Sequence, residues 1–510
     1  KYINAITLGD CSGVSCSGAA SNYQLPTLTA ASAGVNTVTI NAATAAVSAS
    51  KAYDGGTTLT SGQLTITGVG GATLGFTLGT AAFSNANVAT ANKYVNLGTL
   101  ALTGGTGTTA ASNYALPSSA YGANNGATIT AKTVSLSATK TYDGNTSLTG
   151  YVTITTGVGS ETLTYTGATA SDANVATASK YINAITLANG TGGVATNYQL
   201  PTLNASNAPV TINAKTVSLS ATKTYDGTTS LTGAVTITTG VGSETLTYTG
   251  ATASDANVAT ASKYINAITL GDCSGVSCSG AASNYQLPTL NSTNAAVTIT
   301  AKTVGLSATK TYDGNTSLTG YVTITTGVGS ETLTYTGATA TNANVATASK
   351  YINAITLANG TGGVATNYQL PTLNATNAPV TINAKTVSLS ATKTYDGTTS
   401  LTGAVTITTG VGSETLTYTG ATASDANVAT ASKYINAITL VNGTGGVATN
   451  YQLPTLNASN APVTINAKAI TLTAPTVTKA YDGLTSYTAS TADLTSIGSV
   501  LLGGDTITAA

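Results

Sequence analysis

Six copies of Lys-x-Tyr-Asp-Gly carry the most evident chemical potential in this chain. The copies are Lys51, Tyr53, Asp54 and Gly55; Lys140, Tyr142, Asp143 and Gly144; then Tyr225-Asp226-Gly227, Tyr312-Asp313-Gly314, Tyr395-Asp396-Gly397 and Tyr481-Asp482-Gly483, each with its lysine two residues before the tyrosine. An amine, a phenol and a carboxylate so close together could serve acid–base chemistry, a cation site or a lysine–asparagine isopeptide cross-link. Each possibility meets an obstacle in the sequence. The chain has no His, which removes ordinary nucleophilic triads, and no paired carboxylates of the glycosidase kind recur within a repeat. Calcium needs six or more oxygen ligands, usually from clustered acids, and would rest on Asp143 meeting Asp172, which Asn342 replaces in a sister repeat. An isopeptide bond needs a promoting acid; Glu161, Glu244, Glu331 and Glu414 match one another, but Ala72 stands in that place in the first complete repeat. The simplest reading is a turn, because Gly accepts positive φ and Asp bonds the backbone just after it. The motif is therefore expected to be a structural turn and core mark, with no catalytic residue, metal ligand or cofactor.

The elements that position this motif follow from periodicity. Tyr-Asp-Gly recurs at intervals of 89, 83, 87, 83 and 86 residues, and Asn-Tyr-(Gln/Ala)-Leu-Pro recurs at Asn22, Asn113, Asn197, Asn284, Asn367 and Asn450. The unit is about 85 residues, a domain length rather than one solenoid coil. Cutting before each "TVSLS"-like segment gives complete modules at 43–131, 132–214, 215–301, 302–384 and 385–467, with a second half at 1–42 and a first half at 468–510. These halves read as a window onto a longer array, or as pieces that complement one another between neighbouring chains.

Within 132–214, Val134, Leu136 and Ala138 alternate with Ser and Thr, as do Val152 with Ile154 and Leu163 with Tyr165, which is the period of half-buried strands. Tyr181–Leu187, Asn197–Leu203 and Val210–Ile212 complete about six strands, with no capped helical pattern. Continuing the parity places Lys140 and Tyr142 on the inward side. The expected fold class is all-β: a tandem array of immunoglobulin-like β-sandwich modules of antiparallel strands, joined without flexible linkers into an extended rod.

Composition narrows the class. Only 7% of the 510 residues are charged, the formal net charge is zero, and there is no Met or Trp. Such a surface has no electrostatic footprint for nucleic acid or an anionic membrane, and no apolar run approaches the ~18 residues that span a bilayer. Cysteine occurs as Cys11/Cys16 and Cys273/Cys278, two copies of "CSGVSC" in place of a shorter Gly-rich loop. A disulfide-pinned loop in an oxidising compartment is the expectation. Rows such as Thr162, Thr164 and Thr166 suit an ice surface only on a flat sheet, and sandwich sheets twist.

The recurrent "KTYDGTTSLTG" and "KAYDGGTTLT" segments with downstream "NYQLP" resemble the YDG and related MBG repeat modules of large bacterial haemagglutinin- and adhesin-like surface proteins. The resemblance covers nearly the whole chain and implies a secreted, extracellular array at the bacterial cell surface. It carries over no functional residues. The expected function is structural: the stalk or fibre of an adhesin or extracellular filament, with neighbouring copies of the same protein as partners. The alternative is a multivalent module that binds surface glycans through loop Tyr, Asn and Thr.

Overall fold

A computed structural model describes residues 1–13, 16–26, 28, 38–275, 278–474 and 476–508. The chain is nearly all β, built of many short strands in repeated sets. Two compact units divide it: Lys1–Ser218 with Ile237–Thr247 and Leu270–Pro288, and Leu219–Thr236 with Tyr248–Thr269 and Thr289–Ala510. The division runs through the 215–301 repeat rather than along a repeat boundary.

In the first unit, residues 132–214 show the repeating set. Its strands are β1 (Lys132–Thr133), β2 (Ser135–Thr141), β3 (Val152–Thr155), β4 (Leu163–Ala170), β5 (Ile182–Asn189), β6 (Tyr198–Gln199) and β7 (Val210–Asn213). One sheet has the order β3-β2-β7, the second is the β4-β5 hairpin, and β1 pairs with β6. β2 pairs antiparallel with β3, Leu136 opposite Ile154, and parallel with β7, Lys140 opposite Ile212. The expectation of antiparallel strands throughout is thus corrected: the first long strand and the last run side by side in the same direction. Alternation tells which face of a strand is buried, not which neighbour it takes.

The inner faces of both sheets meet in one core. Leu148, Ile182 and Ala208 are fully buried, and Val134, Leu136, Ala138, Lys140 and Tyr142 form an unbroken inward row along and just beyond β2. Truncating a side chain such as Ile182 to Ala would cost about 2–5 kcal/mol. Gly167, with φ +64°, makes a bulge in β4 between Thr166 and Thr169, a backbone conformation that a side chain would strain.

The expected strand Asn197–Leu203 is shorter than alternation suggested. A 3-10 turn, Ala195–Asn197, leads into the two-residue β6, and Pro201 follows, with no N–H to continue a ladder. In the second unit, residues 302–384 and 385–467 repeat the same strands and registers. The tail departs from the all-strand expectation. No strand occurs among the described residues of 468–508, and an α-helix, α1 (Thr491–Gly498), starts where Ser490 and Asp493 form a capping box.

Cys273 and Cys278 are disulfide-bonded at the mouth of a hairpin formed by Cys273–Gly275 and Cys278–Gly280. Cys11 is also disulfide-bonded, and the side chain of Cys16 lies outside the described residues. Among the described residues no helix is long and apolar enough to cross a membrane.

Candidate functional site

The Lys-x-Tyr-Asp-Gly segment is a loop wound around its own lysine. The Lys140 side chain is wholly buried, and its ammonium pairs with Asp143 and donates to the carbonyls of Asn145 at 3.0 Å and Ser147 at 2.9 Å. Lys51 does the same with Asp54, Gly56 and Thr58, and Lys310 with Asp313, Asn315 and Ser317. Lys223, Lys393 and Lys479 hold Asp226, Asp396 and Asp482 in the same way. The ammonium thus gathers the carbonyls at positions five and seven residues on, and the chain re-enters the core at the fully buried Leu148. A lysine this far inside is tolerated because each donor finds an oxygen. At Asp226, burial pushes the carboxyl up, but the Lys223 ammonium and the Thr228 N–H outweigh it and hold the group below its ordinary range.

The wound loop presents its tyrosine and glycine to the following repeat. In the first unit, the Tyr53 hydroxyl donates to Glu161 Oε1 at 2.8 Å, and Tyr198 donates to Oε2 of the same carboxylate at 2.7 Å. Tyr142 and Tyr285 clasp Glu244 likewise, at 2.7 Å each. In the second unit, Tyr225 and Tyr368 clasp Glu331, and Tyr312 and Tyr451 clasp Glu414. The paired rings lie edge to face with centroids 5.3–5.4 Å apart in all four cases. Gly144, at φ +83°, packs so closely that a Cβ there would come 2.9 Å from Val241 Cγ1 of the next repeat. Here glycine is required twice, by the turn and by the neighbour.

A second contact lies beside the first. Asn197 is fully buried; its Oδ1 accepts the Val88 N–H at 2.8 Å, and its Nδ2 donates to Asn87 Oδ1 at 3.0 Å in the preceding repeat. Asn284, Asn367 and Asn450 hold the equivalent loops through Val175, Val258 and Val345. Each loop has its own buried lysine: Lys180 donates to the carbonyls of Val175 and Thr177. The N–H of Asn174 and the hydroxyl of Thr177 pull Asp172 below the usual carboxylate range.

Burial, followed by the bond to Glu244, pushes the Tyr142 phenol up to about 12, and the same causes bring Tyr225 and Tyr312 to about 12. Tyr198, Tyr285, Tyr368 and Tyr451 are raised further still. The phenols of the clasp therefore stay neutral across ordinary pH.

Two ends of the series depart from this pattern. Ala72 stands at the glutamate position of 43–131, where Val69 is 68% exposed while its counterpart Val158 is 6% exposed. Tyr114 there turns inward to its own repeat, donating to the Thr108 carbonyl at 2.7 Å. At the other end, Tyr395 donates to Asp505 Oδ2 at 2.8 Å, and Gly397 faces Leu502. Leu502-Gly-Gly-Asp505 repeats the spacing of Val158-Gly-Ser-Glu161 with a shorter acid.

Sequence reasoning named the turn residues and placed the tyrosine ring in its own module's core. The ring is buried as parity placed it, and each of four also packs against a tyrosine of the following repeat. The acid expected to promote an isopeptide bond is engaged elsewhere: Glu161 takes the two phenols, while Lys140 is held by its own loop, its ammonium 3.3 Å from Asn145 Oδ1. Asp143 and Asp172 each close a local turn, and no cluster of three metal-ligating side chains occurs among the described residues. The residues missed were Glu161, Asn197, Tyr198 and Val158 with their equivalents. One signal was available: the glutamate is present in every complete repeat that follows a Tyr-Asp-Gly turn in this chain.

Residues 36–121 match the YDG domain family. No curated protein and no solved structure matches the chain.

Proposed function

We propose that the chain is a structural repeat region, the stalk or fibre of an extracellular bacterial surface adhesin or filament, and that its Tyr-Asp-Gly motif is the joint between successive repeats. The observation that carries this reading is the tyrosine–glutamate–tyrosine clasp, repeated in four consecutive pairs of repeats with hydroxyl-to-carboxylate distances of 2.7–2.8 Å. A motif whose phenol, glycine and lysine are all engaged in holding the chain together has no group left over for turnover, so the reading assigns it no enzymatic role. The Cys273–Cys278 disulfide supports an oxidising, extracellular setting. Other copies of the same protein are the proposed partners.

Electron microscopy of the full chain tests the reading. Long particles whose length grows with repeat number support it, and compact particles of constant diameter contradict it. One observation favours a second reading, glycan binding. Over 43–131 an open groove of about 580 Å³ is lined by Gln63, Asn92, Lys93 and Tyr121, a residue that is 58% exposed. Binding on a glycan array that is lost with Tyr121→Ala would establish that reading.

A further inference from the structure

Asn-x-Ser/Thr recurs at Asn145 and Asn315, whose Oδ1 accepts from the buried lysine, and at Asn189, Asn359 and Asn442, whose Oδ1 accepts an alanine N–H six residues on. Apart from these, four consecutive repeats carry it in the loop between the Asn-Tyr-Gln-Leu-Pro segment and the strand that follows it. They are Asn204-Ala205-Ser206, Asn291-Ser292-Thr293, Asn374-Ala375-Thr376 and Asn457-Ala458-Ser459. In each, the asparagine Oδ1 accepts the N–H of the hydroxyl-bearing residue, at 3.0 Å from Ser206, 3.0 Å from Thr293, 2.9 Å from Thr376 and 3.0 Å from Ser459. The N–H one residue further on donates to the same oxygen. The carboxamide is thus fixed by its oxygen, and its Nδ2 makes no hydrogen bond to the described residues. Ser206, Thr293, Thr376 and Ser459 are exposed, and the four asparagines are half-buried. None of these residues takes part in the clasps or in the asparagine contacts beside them.

We propose that Asn204, Asn291, Asn374 and Asn457 are N-glycosylation sites. Asn-x-Ser/Thr on an accessible loop is the acceptor that N-glycosyltransferases read. The donor class is a glycosyl phosphate, either nucleotide-activated or lipid-linked. In the transfer, Nδ2 forms a bond to the anomeric carbon as that carbon's bond to the phosphate oxygen breaks. The phosphate leaves with the bonding electron pair, and the amide proton passes to a base of the transferase. The surface has a use for the sugar: with formal net charge zero and mean hydropathy +0.19, the chain has little charge repulsion between copies, and a covalent glycan supplies hydration instead.

The same loops hold an internal control. Asn207, Asn294, Asn377 and Asn460 lie three residues on, lack a hydroxyl two residues later, and donate Nδ2 to the carbonyls of Thr202, Thr289, Thr372 and Thr455. Peptide mapping by electron-transfer mass spectrometry of the full chain from its native source is the test. The expected result is sugar mass on Asn204, Asn291, Asn374 and Asn457 and none on the four control asparagines. Single-sugar additions point to the nucleotide-activated donor, and a preassembled block of several sugars to the lipid-linked one. Ser206→Ala, which keeps Asn204, is expected to abolish sugar at Asn204 alone, with the other three sites reporting intact folding and export. Unmodified peptides at all four sites, or equal modification of Asn207, would overturn the proposal. The outcome is independent of the joint, whose clasps require no sugar.

Discussion

Tyr53→Phe combined with Glu161→Ala isolates the energy that couples two repeats. Phenylalanine keeps the edge-to-face packing on Tyr198 and removes only the hydroxyl that reaches Glu161 at 2.8 Å. Alanine at 161 reproduces the residue that stands naturally at position 72. A hydrogen bond to a charged acceptor contributes about 1.5–3 kcal/mol when dry. Tyr53 is buried but Glu161 is only half-buried, so partial solvation brings the expected coupling to about 1–2 kcal/mol. That corresponds to a ~5–30-fold change in the equilibrium. The assay is urea unfolding of a fragment spanning 43–214 in four forms, wild type, each single variant and the double, fitted with a nearest-neighbour coupling between two repeats. Glu161→Ala should cost more than Tyr53→Phe, because it strips the partner from Tyr198 as well. A coupling within ~0.5 kcal/mol of zero, the additivity of unconnected sites, would refute the reasoning.

Three further outcomes follow from the same geometry. Lys140→Met leaves Asp143 and two turn carbonyls without their donor and should destabilise its repeat by about 2–4 kcal/mol in thermal unfolding, whereas the exposed Lys479→Met should cost far less. Gly144→Ala strains a φ of +83° and drives a methyl into Val241, so loss of at least ~1–2 kcal/mol is expected, with lowered protection of the 140–147 amides in hydrogen exchange. On the alkaline side the raised tyrosines set the sign. Their neutral form is favoured when folded, so their contribution is complete below the ordinary phenol value of 10.0 and is lost as pH rises through about 12 at Tyr142. Ultraviolet titration should show the joints opening in that window, and Tyr142→Phe should remove the Tyr142 share of the change.

Much of the single repeat was legible because alternation is a local signal. The row Val134, Leu136, Ala138, Lys140 and Tyr142 could be placed inward from parity alone, and all five are buried. What parity cannot supply is the partner strand, so the parallel pairing of β2 with β7 went unread. Local chemistry overrode pattern at two points. Pro201 ended a strand that its neighbours favoured, and the Ser490/Asp493 cap started a helix in a segment read as strands. The joint was least legible, since its halves stand far apart in sequence: Tyr53 and Glu161 are 108 residues apart and belong to different repeats. The clues for it were present as repeated markers, Asn-Tyr in one half and Glu in the other, but a single repeat gives them nothing to bond. Lys140 falls inward by parity, which a turn alone does not require. Its role is the hub that winds the loop into a shape the next repeat can receive.

The most direct measurement is a high-resolution experimental structure of residues 43–214. The Tyr53 hydroxyl is expected about 2.8 Å from one oxygen of Glu161 and the Tyr198 hydroxyl about 2.7 Å from the other, with Asn197 buried on the Val88 N–H. A Tyr53 side chain folded back into its own repeat or open to water, with Glu161 bonded elsewhere, would contradict it.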